Sequence, residues 1–279
     1  MKKFLFSADL HGNIMQYEKL FLAAKKEKVN LIIIGGDLAP KDGIRRTILQ
    51  QKFFFADCLL PLLKKYSDIA VYLIMGNDDF KANRTSLQTL AKKQKNLFIL
   101  SDKPKKIAGL SITGYPYVPL TPFRFKDWEK IDAPDVLETT YRDFVTSGML
   151  SKKGGFINHE INLHERKNSI AHDFDKIAKK CKGEKAIWIV HTPPYDTVLD
   201  VIHTGKHVGS IALKRAIEKY KPKLTLHGHI HETVAMTNKF KQKIGRTWSM
   251  TPGNDYRNNV LYYLLVDLFN PEKTKRKKC

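Results

Sequence analysis

Short apolar segments alternate with longer stretches of helical periodicity through the first hundred residues of the chain. Apolar runs of this kind are expected for strands of a sheet that is covered on both faces. The pattern predicts strands at Phe4–Ala8, Leu31–Ile34, Val71–Met75 and Leu97–Leu100, and helices at Met15–Lys28 and near Arg45–Tyr66. Pro61 lies inside the second helix, where a kink or break is expected. The alternation predicts βαβ units and a mainly parallel sheet.

The pattern changes at residues 115–168. Prolines, a glycine pair and a long polar run predict loops and short helices here, as an excursion over one end of the domain that often carries function. The α/β alternation then resumes with Ile170–Cys181 helical, Ala186–Val190 extended, Ser210–Tyr220 helical, Lys223–His227 extended, and strands within Thr233–Asp267 around a loop at Thr251–Asn258. No internal repeat is visible. We expect a single domain over residues 1–270 and a disordered basic tail over 271–279.

Composition narrows the class of protein. The chain has 279 residues, of which 42% are apolar, as expected for an α/β fold with a sizeable core. No apolar run approaches the roughly 18 residues of a membrane helix, and Asp9 and His11 interrupt the first apolar stretch too early for a signal peptide. Cys58, Cys181 and Cys279 lie far apart, which favours neither a disulfide framework nor a zinc motif. We expect a soluble, cytoplasmic protein without membrane insertion.

The formal net charge of +21 favours a polyanionic partner. Nucleic acid, an anionic membrane surface and a phosphorylated substrate all fit this charge. A lysine-rich surface that binds nothing in particular is the alternative. No arginine-rich or aromatic-interleaved segment indicates sequence-specific nucleic-acid binding. Charge alone therefore does not select the partner, and it leaves the oligomeric state open.

Potential metal ligands follow several predicted strands. They lie in the segments Asp9-Leu10-His11, Gly36-Asp37, Gly76-Asn77-Asp78-Asp79, His191 and Gly228-His229-Ile230-His231. Alternate residues of an extended segment point the same way, so each D-x-H or H-x-H pair can reach one ion. A carboxylate can bridge two metals, and an asparagine offers a neutral oxygen and an amide that donates to phosphate. Open α/β sheets build their sites at the carboxyl ends of strands.

Each of these residues also has an ordinary structural interpretation. An aspartate after a strand is usually a turn or capping residue, a buried histidine is usually a hydrogen-bonded core residue, and an isolated H-x-H pair is a metal site only in a minority of cases. Five such coincidences at successive strand ends are improbable. Together and in this order they predict a binuclear metal hydrolase.

The ordered set resembles the calcineurin-like metallophosphoesterase superfamily, whose pattern is D-x-H, G-D, G-N, H and G-H-x-H. The similarity extends from Asp9 to about Asp267. The branch of small predicted phosphoesterases related to cyclic-nucleotide phosphodiesterases is the most similar, through segments such as Gly76–Asp79, Thr121–Phe123 and His191–Tyr195. The resemblance implies an α/β four-layer sandwich of two mixed β-sheets flanked by helices, with a binuclear metal site at the strand ends.

The resemblance also implies the ligand sets. One ion would be held by Asp9, His11, Asp37 and His231, and the other by Asp37, Asn77, His191 and His229, with Asp37 bridging. Nitrogen and oxygen donors without thiolate suit Mn²⁺, Fe²⁺ or Fe³⁺, Zn²⁺, Co²⁺ or Ni²⁺, of which Mn²⁺ is our first choice. Two such ions would clamp a phosphate and lower the pKa of a bridging water, giving a hydroxide that attacks phosphorus.

The sequence departs from the superfamily at Asp78, where many members carry a histidine that resembles a general acid. Asn77 and Asp78 are the candidate catalytic residues, and Asn77 and His207 the candidate substrate contacts. An ionised Asp78 cannot donate a proton, so we expect better activity on aryl esters than on esters of basic alkoxides. Asp79 is expected to orient a neighbouring ligand or loop.

Three functional hypotheses follow. The first is a metal-dependent phosphoesterase of a small cytosolic phosphomonoester or phosphodiester. The second is a nuclease or nucleic-acid phosphodiesterase, which the positive charge favours through phosphate attraction. The third is a non-catalytic interaction module, which is disfavoured because all seven ligand positions are filled.

Overall fold

The computed structural model describes residues 2–41, 47–136 and 144–279. Its helices are α1 (Ile14–Lys26), α2 (Ile48–Phe53), α3 (Leu60–Lys65), α4 (Arg84–Lys93), α5 (Ile170–Lys180), α6 (Ile211–Tyr220) and α7 (Thr233–Thr237). Its strands are β1 (Lys3–Ser7), β2 (Leu31–Gly35), β3 (Ala70–Ile74), β4 (Leu97–Ile99), β5 (Lys105–Ile107), β6 (Leu110–Tyr115), β7 (Val118–Pro119), β8 (Glu129–Lys130), β9 (Ser147–Lys152), β10 (Gly155–Glu160), β11 (Ala186–Val190), β12 (Leu224–Leu226), β13 (Lys241–Ile244), β14 (Thr247–Met250), β15 (Tyr262–Asp267) and β16 (Lys275–Lys278).

Two mixed sheets of six strands form the centre of the fold, in the orders β16-β15-β1-β2-β3-β4 and β13-β14-β12-β11-β6-β5. In the first sheet β1 to β4 are parallel, and in the second sheet β14, β12, β11 and β6 are parallel. Antiparallel strands complete the edges. The carboxyl ends of the parallel strands therefore meet at one edge of each sheet.

The two sheets face each other across an apolar layer, and helices cover their outer faces. Phe4 and Phe6 of β1 point into the layer between the sheets, together with Ile187 and Ile189 of β11. Leu5 points the other way, into the core beneath α1 to α4. A third core lies between the second sheet and helices α5 and α6. The predicted fold class, two mixed sheets flanked by helices, is confirmed.

The excursion over residues 115–168 differs in part from the prediction. Its described residues form no α-helix, and β9 and β10 make an antiparallel hairpin instead of loops and short helices. This hairpin lies outside both six-stranded sheets, as expected for a segment without a core strand. The regular 147–160 pairing, around a turn at Lys153-Gly154, is not evident from the sequence because its composition is mixed and polar.

The prediction of a disordered tail over residues 271–279 is wrong. Lys275–Lys278 forms β16, which pairs with β15 at the edge of the first sheet. The charges that suggested disorder have partners, because Lys277 Nζ lies 2.6 Å from Glu27 Oε1 and the Arg276 guanidinium lies over the Tyr262 ring. Residues 233–237 also form a short helix where strands were expected.

The long helical stretch begins at Ile48 in the structure, and Arg45 and Arg46 lie outside the described residues. Residues Phe54–Leu59 adopt a π-helical turn, and α3 begins at Leu60, one residue before Pro61. A π-turn accommodates a proline because the missing N–H no longer interrupts an α-helical ladder. The helical run continues through Pro61 to Lys65, so the structure shows a local π-turn rather than the predicted break, and the predicted kink stays a prediction. Every helix in the described part of the chain is too short or too polar to cross a bilayer.

Candidate metal centre

Asp9 and His11 lie directly after β1, with backbone φ angles of 58° and 40°. These left-handed conformations are rare for residues with a side chain, and they persist where the surrounding structure fixes the backbone. Here the Asp9 N–H donates to the Gly36 carbonyl at 3.1 Å, and the His11 N–H donates to the Asp37 carbonyl at 2.9 Å. The turn after β1 is thereby bound to the turn after β2.

Glycines allow the ligand loops to approach each other closely. A Cβ on Gly76 would lie 2.2 Å from Asp37 Oδ1 and 2.7 Å from His191 Cε1. A Cβ on Gly36 would lie 2.5 Å from His191 Nδ1. Neither position has space for a methyl group, so the convergence of Asp37, Asn77 and His191 requires these glycines.

Asp79 ties together the loops that follow β2 and β3. Its carboxylate is fully buried and accepts hydrogen bonds from the backbone N–H groups of Leu38, Ala39 and Gly76 at 2.9–3.0 Å. A carboxylate that accepts several backbone donors fixes the position of each loop. The expectation that Asp79 orients a neighbouring loop is confirmed.

His191, directly after β11, is fully buried. Its Nδ1 lies 2.8 Å from the carbonyl oxygen of Gly35. In the neutral imidazole, a proton on Nδ1 that is donated to this carbonyl leaves Nε2 as the atom with a lone pair. Hydrogen bonding commonly orients a histidine ligand in this way.

His229 and His231 follow β12 on a turn that contacts Asp9. The His229 N–H donates to Asp9 Oδ1 at 2.9 Å, and His229 itself has a φ of 72°. A Cβ on Gly228 would lie 2.9 Å from both carboxylate oxygens of Asp9. The two strand ends, one from each sheet, are therefore in direct contact at the site.

Four ligand groups form a first cluster, in which all four ligand atoms lie within 4.8 Å of one another: Asp9, His11, Asp37 and His231. His11 Nε2 lies 3.2 Å from His231 Nε2 and 3.4 Å from Asp37 Oδ2. When two neighbouring ligand atoms bind the same ion at about 2.0–2.2 Å, the distance between these two atoms is about 3.0–3.4 Å. The spacing of this cluster matches that of atoms around a single ion.

A second cluster surrounds Asn77. Its Oδ1 lies 3.0 Å from His191 Nε2 and 2.8 Å from His229 Nδ1. The Oδ2 atom of Asp37 lies 3.4 Å from His191 Nε2, and the same oxygen belongs to the first cluster. The structure thus brings together all seven candidate metal ligands from the sequence analysis, with Asp37 between the two clusters.

Two buried atoms indicate that the clusters fit cations. Asp9 Oδ2 and His11 Nδ1 are buried without a hydrogen-bond partner in the part of the chain that the structure describes. An unpaired buried carboxylate oxygen is costly unless a cation compensates it. The mixed oxygen and imidazole donors, with no cysteine among them, suit the divalent metals named above.

Burial and neighbouring charges set the protonation of the candidate ligands. Burial opposes the ionised form of Asp37, yet the neighbouring His191 and His11 hold its pKa well below the usual range. Burial disfavours a charged His191, but Asp37 raises its pKa to about 9. Burial lowers the pKa of His229 well below its usual value and that of His231 to about 3. Uncharged imidazoles are the form that binds a metal ion, so His229 and His231 are in that form at neutral pH, whereas a metal must displace a proton from His191.

Lys41 is a residue of the site that motif reasoning misses. Its Nζ lies 3.0 Å from Asp78 Oδ2 and 5.0 Å from the centre of the Tyr256 ring. The Asp78 N–H donates to Asp37 Oδ1 at 2.9 Å. Lys41 belongs to no metal motif, and its only signal in the sequence is that it lies four residues beyond Asp37.

A cavity of about 400 Å³ opens over both clusters. One wall comes from the excursion, through Leu120, Thr121, Pro122 and Phe123. Among the described residues, Lys41, Lys206 and Arg257 also line it. The cavity combines an apolar wall with positive charge above the candidate metal ligands.

The structure gives His207 a different environment from that of a cavity residue. Its Nδ1 lies 2.8 Å from Oδ1 of the buried Asp200, and its neighbours Lys206 and Val208 line the cavity instead. His203 lines the cavity as well, and its Nδ1 lies 3.2 Å from a carboxylate oxygen of Glu232. The substrate contact of His207 therefore stays a prediction.

Comparison with known proteins identifies the family. The family model of the calcineurin-like phosphoesterases matches residues 2–233. The chain belongs to the calcineurin-like phosphoesterase family. It is accordingly a hydrolase of phosphate esters, in a family that uses divalent metal ions. None of the curated protein sequences compared with the chain matches it.

Solved structures share the fold at low sequence identity. One superposes with a TM-score of 0.66 at 15% identity, over 99% of this chain and 98% of its own. TT1561 of Thermus thermophilus gives a TM-score of 0.59 at 14% identity, over 99% and 98%. GAP50, the anchor in the inner membrane complex of Plasmodium, gives 0.50 at 12% identity, over 99% and 88%. Similarity at these identities shows the fold alone.

Proposed function

We propose that this protein hydrolyses the ester bond of a small phosphorylated substrate at a centre of two divalent metal ions. Asp9, His11, Asp37 and His231 would hold one ion, and Asp37, Asn77, His191 and His229 the other. The observation that carries the proposal is the position of Asp37, whose Oδ2 lies 3.4 Å from a ring nitrogen of His11 and of His191.

Two ions bound there would supply an activated water as nucleophile and offset the negative charge of the phosphoryl group. The residues of the chain have distinct parts in this reaction. Asp37 would fix the distance between the ions, and the side-chain amide of Asn77 would donate to a phosphoryl oxygen. Asp78, whose Oδ2 lies 3.0 Å from Lys41 Nζ, is a carboxyl group at the position of the histidine that many members carry, which supports the preference for aryl esters.

Mn²⁺ is our first choice of metal, because the donors are imidazole, carboxylate and amide oxygen. A cytoplasmic location stays a prediction that rests on cysteine usage. Cys58, Cys181 and Cys279 are all free thiols in the structure.

The cavity supports a small substrate rather than a polymer. Its volume of about 400 Å³ is in the range of pockets for small ligands. A nucleic-acid phosphodiesterase is the second candidate, favoured by the net charge of +21. The dependence of substrate binding on salt concentration distinguishes the two candidates. Nucleic-acid binding weakens steeply as the salt concentration rises, whereas binding of a small substrate need not.

The experiment that tests the proposal compares hydrolysis of bis-p-nitrophenyl phosphate and p-nitrophenyl phosphate, with Mn²⁺ added or chelated. We expect turnover that depends on metal and is lost in Asp37→Ala and His191→Ala. His164→Gln, at an exposed histidine, serves as the control and should retain activity. Equal activity of the wild type and Asp37→Ala would refute the proposed centre. The ratio of diester to monoester turnover would assign the substrate class.

A further inference from the structure

A second cavity, of about 490 Å³, adjoins the cavity over the two clusters. The two cavities share part of their lining, namely His203, His231, Glu232 and Arg257. A phosphoryl group bound over the clusters would leave the second cavity to the rest of the substrate. Arg257 lies at the border of the two cavities, beside the candidate ligand His231.

Arg257 belongs to the loop between β14 and β15, whose backbone is held on both sides of this residue. The fully buried Gln16 of α1 donates through Nε2 to the carbonyl oxygens of Asp255 and Asn258 at 2.8 Å. The backbone N–H of Arg257 donates to Asp255 Oδ1 at 3.0 Å. The exposed side chain of Arg257 therefore extends toward both cavities from a fixed backbone.

The acidic side chains that line the second cavity have other partners. Glu232 Oε1 lies 3.2 Å from Nδ1 of His203. The side-chain amide of Asn258 donates to Asp255 Oδ2 at 3.2 Å. Neither carboxylate forms an ion pair with the guanidinium of Arg257 in the structure. The positive charge of Arg257 thus has no counter-ion among the carboxylates of this cavity.

Two arginines line the second cavity in the described part of the chain, and they differ in their hydrogen bonds. Arg276 donates to the carbonyl oxygens of Pro252 and Gly253 at 2.6 and 3.2 Å. The guanidinium of Arg257 lies 5.4 Å from the centre of the Tyr256 ring, and none of the described residues accepts a hydrogen bond from it. Its N–H donors, arranged in a planar fork, therefore remain for a ligand.

We propose that the substrate carries a second anionic group, a carboxylate or a phosphate, and that Arg257 binds this group in the second cavity. A guanidinium fork matches the paired oxygens of such a group better than the point charge of a lysine does. The inference rests on the proposed function, because it assumes that the ester phosphate lies over the metal centre. It narrows the substrate to a phosphate ester whose leaving group is itself negatively charged.

The test uses the Mn²⁺-loaded protein and non-hydrolysable probes: phenylphosphonate, p-carboxyphenylphosphonate and p-phenylenediphosphonate. Calorimetry measures the affinity for each probe, and the bound metal is counted in each variant. We expect the wild type to bind the probes with a second anionic group about 10- to 100-fold more tightly than phenylphosphonate, as for a gained charge-assisted hydrogen bond. The tighter of these two probes assigns the second group as a carboxylate or a phosphate.

Variants locate the preference at Arg257. Arg257→Met should remove most of it while weakening phenylphosphonate binding much less. Arg257→Lys should restore only part of it, because an ammonium lacks the planar fork. Arg246→Met, at an exposed arginine of the turn between β13 and β14, makes the same change in net charge and should keep the preference within about twofold. In hydrolysis, Arg257→Met should raise KM for p-carboxyphenyl phosphate more than for phenyl phosphate.

The inference is overturned if the wild type does not prefer a probe with a second anionic group, if Arg257→Met keeps the preference or loses bound metal, or if Arg246→Met has an equal effect. A preference that depends on Arg257 in a protein without metal-dependent hydrolysis would support the anion site and reject the proposed function. Metal-dependent hydrolysis that is lost in Asp37→Ala, without any such preference in the wild type, would do the reverse.

Discussion

The Oδ2 atom of Asp37 lies 3.4 Å from Nε2 of His191. The same oxygen lies equally far from Nε2 of His11, so one carboxylate faces both groups of candidate ligands. Two ions that share a carboxylate lie about 3.5–4 Å apart, a separation at which both can contact one phosphoryl group. In the proposed centre, neither ion is bound independently of Asp37.

Asp37→Ala is therefore expected to reduce the affinity for both ions, whereas His231→Ala should affect only one. We expect the metal content after dialysis against micromolar Mn²⁺ to fall from two ions to almost none in the first variant and to one in the second. Activity should fall by at least about 100-fold in both variants. Removing a residue that only hydrogen-bonds to a metal ligand typically reduces activity by about 10- to 100-fold, and removing the ligand itself should reduce it more. Elemental analysis of the dialysed proteins checks this. Two tightly bound ions in Asp37→Ala would contradict it.

The protonation of His191 predicts a pH dependence of metal binding. Asp37 raises the pKa of His191 to about 9 in the metal-free protein, so at pH 7 its imidazole carries a proton that the metal must displace. The apparent affinity should therefore rise about tenfold per pH unit up to about pH 9 and then level off. Burial raises the pKa of Asp9 to about 7, which steepens the dependence below that pH.

Calorimetric titration with Mn²⁺ at pH 7.5, in two buffers of different ionisation enthalpy, measures the protons released. We expect about one per chain from His191, and the same value in the control His164→Gln. An affinity that does not change between pH 7 and pH 9, with no proton release, would contradict the charge arrangement of His191 and Asp37.

Gly76 offers a steric test of the same site. Its Cβ would lie 2.2 Å from Asp37 Oδ1 and 2.4 Å from the Asp37 backbone nitrogen, so Gly76→Ala must displace Asp37. We expect a stability loss of about 1–3 kcal/mol, as for overpacking, together with lost metal affinity. Gly109→Ala is the control, because nothing lies within 4 Å of that Cβ and only its positive φ of 81° is strained. Urea denaturation and metal content should show that only the first variant loses metal.

How far the sequence predicts the fold depends on how each strand is buried. Strands that are covered on both faces consist of consecutive apolar residues, and this holds for β1, β2, β3 and β11. Their predicted bounds are close to those observed. β6 is also fully buried, but no apolar run indicates it, because Ser111 and Thr113 interrupt its apolar residues. β16 was missed because its pairing is stabilised by Glu27 and Tyr262, which are distant in the sequence.

The candidate site likewise contains residues whose position the sequence predicts and residues whose position it does not. The seven proposed ligands follow strand ends, and the carboxyl ends of neighbouring parallel strands meet, so their convergence was predictable. Lys41 lies in a loop whose path no periodicity determines, and its contact with Asp78 was not predictable. Thr121 and Phe123 reach the cavity through the excursion, whose hairpin was also not foreseen.

A buried ion pair fixes the cavity wall that the excursion supplies. Lys126 Nζ lies 2.8 Å from Glu129 Oε2, and both side chains are fully buried. Lys126 also donates to the Thr121 carbonyl at 2.8 Å, and the Thr121 N–H donates to Glu129 at 2.9 Å. Thr121 is followed by Pro122 and Phe123, so the pair holds the apolar wall in place.

At pH 8 or above, Glu129→Gln should destabilise the protein by about 3–5 kcal/mol, because it leaves the charge of Lys126 buried without a counter-ion. Burial raises the pKa of Glu129 to about 7, so the loss should be smaller at lower pH. The double variant Lys126→Met/Glu129→Gln should regain much of that stability but still raise KM for aryl esters, since Thr121 loses two of its contacts. Urea denaturation and steady-state kinetics measure the two effects. Asp68→Asn, in the exposed pair with Lys25, is the matched control and should cost less than about 1 kcal/mol. If Glu129→Gln proved as mild as Asp68→Asn, the pair would have no part in holding this wall.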